Sequence, residues 1–104
     1  METEELIGKL SEKEIEAFKA KHGEVFEFEV DGKVCYLKKP DRKLLGAAMK
    51  MSKDDPMKFN ETIMNNCFLG GYDGFKDVNG DLFLDIESEF AKLLERRAVT
   101  VKKL

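Results

Sequence analysis

Residues 24–42, EVFEFEVDGKVCYLKKPDR, constrain the fold more tightly than any other stretch of this chain. Two alternating apolar and polar runs flank Asp31-Gly32, a pair suited to the positive φ angles of a two-residue type I′ turn. That turn sets a hairpin register in which Val30 faces Lys33, Phe28 faces Cys35 and Phe26 faces Leu37. Phe26, Phe28, Cys35 and Leu37 then share one face, the expected core side. Glu27, Glu29, Val34 and Tyr36 share the other, whose mixed character predicts partial cover by another segment or a partner. Pro40 cannot donate to a ladder and ends the second strand.

The rest of the chain reads as helices. Residues 1–10 either extend the first helix or fray, with Leu6, Ile7 and Leu10 as their apolar positions. Ser11 and Glu14 make a capping box for a short helix over residues 12–22, stopped by Gly23. Asp41 caps a helix carrying Leu44, Leu45, Ala48 and Met49 at helical spacing. Asp55-Pro56 opens the next, whose inner face is Asn60, Ile63, Met64, Cys67 and Phe68, with Gly70-Gly71 as its stop. After a glycine- and aspartate-rich loop over residues 72–80, Asp81 is the expected cap of a last helix striped by Leu82, Phe83, Ile86, Phe90, Leu93 and Leu94. Residues 98–104 read as a short terminal strand, with Val99 and Val101 on one side. This strand either pairs with the hairpin edge or orders on binding. The expectation is one α+β domain over residues 1–104: a small antiparallel hairpin, three-stranded if the C-terminal segment joins it, packed against about four helices.

Charge and motif content narrow the function classes. The 104 residues carry 18 Lys and Arg against 21 Asp and Glu, a formal charge of -3, which gives no electrostatic drive toward nucleic acid or anionic membrane. No apolar run reaches the roughly 20 residues of a membrane span. The acidic start METEELIGKL does not read as a signal peptide, so a cytoplasmic setting is expected. Cys35 and Cys67 are far apart and outside any zinc-type cluster, and read as small buried hydrophobes. The one histidine, His22, sits at a helix end, where a positive side chain suits the dipole. Residues 77–81 fail as a calcium loop: with Gly80 at the turn position, Phe75 and Ile86 fall where carboxylates are required. The glycines at 70, 71 and 74 lack the Gly-Lys-Ser/Thr of a phosphate loop. Lys38, Lys39, Arg42 and Lys43 form the densest basic cluster, and Arg96, Arg97, Lys102 and Lys103 a second; both read as solvated surface. Met49, Met51, Met57 and Met64 read first as core, and second as a flexible apolar binding surface. No catalytic, cofactor or metal constellation is expected.

The segments YLKKPDRKLLGAAMK and DDPMKFNETIMNNCFLGGYD, followed by a helix and a terminal VKKL, resemble the small tail assembly chaperones of tailed phages and prophages. The resemblance covers residues 26–104. It is most marked at Lys39-Pro40-Asp41-Arg42 and at Asn66-Cys67-Phe68-Leu69-Gly70-Gly71, although this chain has Phe68 where the family commonly has Trp. It implies a non-enzymatic assembly factor of the bacterial host cytoplasm. Such a factor binds the tape-measure or tail-tube protein without a cofactor; separately, the sheet edge of so small a domain leaves a homo-oligomer open. The alternative is a small structural tail or connector subunit. Val34, Tyr36, Val99 and Val101 are the expected partner-binding residues, offering a strand edge or an apolar face.

Overall fold

The computed structural model describes residues 6–94 and 98–104. Helix α1 (Glu12–His22) leads into strands β1 (Val25–Val30) and β2 (Lys33–Lys38). Helices α2 (Arg42–Met51) and α3 (Met57–Cys67) follow, then strand β3 (Phe68–Gly71), a 3-10 turn (Asp73–Lys76), helix α4 (Asp81–Glu87) and a second 3-10 turn (Phe90–Leu94). The sheet is antiparallel in the order β1-β2-β3. This is the expected α+β architecture, with its third strand drawn from a different part of the chain.

Local chemistry accounts for most element boundaries. Ser11 accepts from the Glu14 amide while the Glu14 carboxylate accepts from the Ser11 amide, closing both sides of the capping box. The hairpin has the register read from Asp31-Gly32, with φ of 51° and 75° at the two turn residues. Asp41 Oδ1 accepts from the Leu44 amide at 2.8 Å and opens α2. Asp55 Oδ1 accepts from the Met57 amide at 3.1 Å, with Pro56 already at helical angles.

The sheet separates two layers. On the face of Cys35 and Leu37 lies the main core: Ala48 of α2, Ile63, Met64 and Cys67 of α3, Phe75, Phe83 and Ile86 of α4, and Phe90 and Leu93. Each large side chain buried there stabilises the fold by about 1.5–3 kcal/mol. The ring of Phe90 stands edge-on to Phe28 and to Phe83, both at 6.0 Å between centroids. Burial raises both thiols, Cys35 to about 12 and Cys67 to about 11, so each is a neutral core side chain at physiological pH.

Several sequence expectations are corrected. Phe68 does not continue α3, and Gly70-Gly71 is not a helix stop: residues 68–71 form β3 along β2. Residues 98–104 adopt no strand. The far edge of β2 is closed to them, since β3 and Ile7 already hold the side that faces away from β1, and they do not pair with the outer edge of β1. Of residues 1–10, the first five lie outside the described residues; residues 6–10 neither extend α1 nor fray, and Ile7 pairs with Lys33 in a parallel bridge. Asp81 does not cap α4. Gly80 occupies the cap position and Asp81 is the first helical residue, where its charge still complements the dipole. The last helix is broken after Glu87 and resumes as a 3-10 turn. Arg96 and Arg97 lie outside the described residues.

Gly8 and Gly71 mark where backbones cross most closely. Both have positive φ, 90° and 113°, and a Cβ on Gly71 would fall 2.5 Å from the Val34 carbonyl oxygen. Gly71→Ala therefore combines left-handed strain with overpacking, and a loss of about 3 kcal/mol is expected in urea unfolding. Gly46 is exposed within α2, and a methyl added there would meet nothing within 4 Å. Its expectation is the opposite: Gly46→Ala raises stability by about 1 kcal/mol in the same measurement.

Candidate partner-binding surface

Val34 and Tyr36 are not on the surface. Their relative exposures are 0% and 1%, because the mixed face of the hairpin is covered by the protein's own N-terminal segment. The Val34 amide donates to the Ile7 carbonyl at 2.9 Å, and its carbonyl accepts from the Tyr72 amide at 2.9 Å. The Tyr36 hydroxyl donates to Glu27 Oε1 at 2.9 Å and accepts from the Leu10 amide at 3.4 Å. Lys9 Nζ meets the same Glu27 oxygen at 2.6 Å. Leu10 and Phe18 lie over Gly70, where a Cβ would come within 3.3 and 3.9 Å of their side chains. Residues 6–10 and α1 thus form a second layer over the sheet, held by a phenol, a carboxylate and an ammonium group that alternation alone does not connect.

This clasp sets the protonation of its members. The hydrogen bond from Lys9 holds the Glu27 carboxyl below the usual glutamate range, with the Tyr36 hydroxyl adding to it. Lys9 is raised mainly by that same bond. Burial raises the Tyr36 phenol, and Glu27 adds to the shift. Each change favours the ionisation states that the clasp uses: a charged carboxylate, a charged ammonium and a neutral phenol.

Val99 and Val101 are, by contrast, fully outside, 81% and 89% exposed, and Leu104 is as open. The four expected partner residues therefore do not form one surface: two are interior and two lie on a projecting tail. Three methionines that read first as core are also exposed, Met49 at 66%, Met51 at 55% and Met57 at 53%, whereas Met64 is fully buried. Met49 and Met51 lie at the end of α2 and Met57 at the start of α3. The signal for their exposure is their position beside Ser52 and Pro56, at the ends of helices rather than on the inner stripe.

His22 is the last residue of α1, half-buried, with its ring 6.2 Å from Phe18. Residues 77–80 form a turn rather than a calcium loop: Asp77 Oδ1 accepts from the Asn79 amide and the Asp77 carbonyl from the Gly80 amide. Among the described residues no group of three His, Cys, Asp or Glu side chains is placed to hold a metal ion. No described helix is long and apolar enough to cross a membrane.

Tyr36→Asp would place a charge in a closed site and is expected to disrupt the fold, not merely a docking surface. Tyr36→Phe isolates the clasp: about 1–2 kcal/mol should be lost in urea unfolding, because the Leu10 amide and Glu27 lose a partner. The pH dependence has a definite sign. Glu27 is depressed on folding, so its contribution is present above the ordinary glutamate value and is lost as pH falls through the depressed one. Amide-exchange protection at Val34, whose donor bond ends on Ile7, should fall as the pH is lowered through and below the ordinary glutamate range in the native protein and change less in Glu27→Gln.

Comparison with family models, with curated proteins and with solved structures gives no match to this chain.

Proposed function

We propose that this protein is a non-enzymatic assembly factor that binds another polypeptide, in the manner of a phage tail assembly chaperone acting on a tape-measure or tail-tube protein. The observation that carries this reading is the C-terminal tail. Residues 98–104 run outside the folded body with Val99, Val101 and Leu104 almost wholly exposed. Their backbone makes no hydrogen bond to the rest of the described chain. A segment with the β-branched run Val99-Thr100-Val101 and free backbone groups is suited to adding a strand to a partner's sheet edge. Lys102 and Lys103 beside it favour an acidic partner edge and discourage the tail from stacking on copies of itself.

The exposed methionines at the α2–α3 corner supply a second, adaptable apolar surface. Thioether chains conform to varied partners at low cost, which suits a factor that holds a long polypeptide rather than one fixed epitope. The open backbone of β1, an outer strand of the sheet, is a further acceptor for a strand. A structural tail subunit is the competing reading, and it differs in fate: an assembly factor leaves the finished particle.

Co-expression with the products of the genes that flank its own, tape-measure and tail-tube proteins on this reading, tests the proposal. The native chain is expected to co-purify with one of them and to be missing from completed particles. Val99→Asp/Val101→Asp should reduce capture about tenfold or more while leaving the unfolding midpoint unchanged, because neither side chain contributes to the core. Equal capture by the variant would place the contact elsewhere, and retention of the protein in particles would favour the structural subunit.

A further inference from the structure

The end of α1, the end of β2 and the first turns of α2 enclose an open groove of about 500 Å³. Lys21, His22, Lys38 and Lys43 line it, with Asn66 of α3 at one side and Asp41 as its acidic member. Lys39, also on the rim, is paired with Glu24 at 3.3 Å. Lys9, Lys19, Lys33 and Lys92 likewise sit within ion-pair distance of a carboxylate. Among the described residues, Lys21, Lys38 and Lys43 do not, in common with other lysines such as Lys13 and Lys50; these three differ in lining one groove. In a chain of net charge -3, these three ammonium groups converge on one concavity whose lining holds a single carboxylate, that of Asp41. The Asp41 carboxylate is engaged by the Leu44 amide.

The start of α2 adds to the imbalance. Asp41 caps it and supplies one negative charge, but the first turn beyond that cap contains no acidic residue and carries Arg42 and Lys43, cations at the positive end of a helix dipole. A bound anion would relieve that repulsion. We propose that this groove is a binding site for a phosphate-class oxyanion, with Lys21, Lys38 and Lys43 as its cations and the neutral His22 imidazole and Asn66 amide as hydrogen-bond donors. The choice of phosphate over carboxylate rests on the cations present. They are lysines, which act as point charges, and three of them around one concavity suit a compact group with several charged oxygens better than the two-oxygen plane of a carboxylate. Burial lowers the His22 imidazole, and Lys38 and Lys21 lower it further, which matches a site with excess positive potential.

His22 is the only histidine in the chain, so its ring protons report on the groove without ambiguity. The full chain is titrated with pyrophosphate at constant ionic strength, following the His22 ring signals by NMR, with potassium chloride and citrate as controls. The expected result is a saturable shift with pyrophosphate, a rise in the His22 pKa on saturation, and little response to either control. Lys38→Gln/Lys43→Gln should weaken the response about tenfold or more while its amide spectrum stays that of the folded protein. The Val99→Asp/Val101→Asp chain should bind pyrophosphate normally, which separates this site from the tail. A response no greater than that to chloride would overturn the proposal. An equal response to citrate, or one that survives in the lysine variant, would overturn it as well. So would saturable binding of a single-stranded oligonucleotide without any effect of pyrophosphate.

Discussion

The structure depends on β2 being buried on both faces. Val34, Cys35, Tyr36 and Leu37 are four consecutive residues with essentially no exposed surface, in a domain too small to hide a strand between two full layers of helices. One cover comes from α2, α3, α4 and the 3-10 turns, which close over Cys35 and Leu37. The other comes from residues 6–10 and α1, a thin layer held by a few bonds. The phenol of Tyr36 makes that thin layer possible. Its ring fills apolar space while its hydroxyl satisfies a backbone amide of the covering segment and a carboxylate of the neighbouring strand. A buried polar group with both partners present fixes one arrangement, whereas the same group unpaired would cost about 1–3 kcal/mol.

Occupancy around β2 also determines what is left for binding. Its two edges are taken by β1 on one side, and by β3 with Ile7 on the other. The tail therefore finds no ladder within its own sheet except along β1, and it projects with its apolar side chains in solvent. Burial of Val34 and Tyr36 removes them from any docking surface and leaves the tail and the α2–α3 corner as exposed apolar elements that the core does not need. The basic groove has a similar origin. Packing α1 on one side of the sheet and α2 beyond its end brings Lys21 and His22 to Lys38 and Lys43, residues distant in the chain.

Local rules are legible wherever the physics is local. Ser11-x-x-Glu14, Asp31-Gly32, Asp41 and Asp55-Pro56 each fix a boundary through a contact within three residues, and each stands where the sequence places it. The inward face of the hairpin follows from period-two alternation alone. Reading fails where a residue's role belongs to a distant partner. Gly70-Gly71 resembles a helix stop until the closeness of Val34 shows why side chains are excluded there. Asp81 resembles a cap until the Asp77 turn delivers Gly80 to that position. The basic cluster of Lys38, Lys39, Arg42 and Lys43 is visible in the sequence, but it resembles solvated surface because the pairing of Lys39 and the approach of Lys21 and His22 are tertiary facts.

By itself, then, the sequence determined the hairpin with its register, the starts of α1, α2 and α3, and the apolar content of the main core, since alternation, turn chemistry and capping act over a few residues. Only the tertiary structure decided which segment became the third strand, that Val34 and Tyr36 lie inside while Val99 and Val101 lie outside, and where unpaired lysines gather. These depend on which surfaces compete for the same edge of β2, and that competition is resolved by packing the whole chain at once.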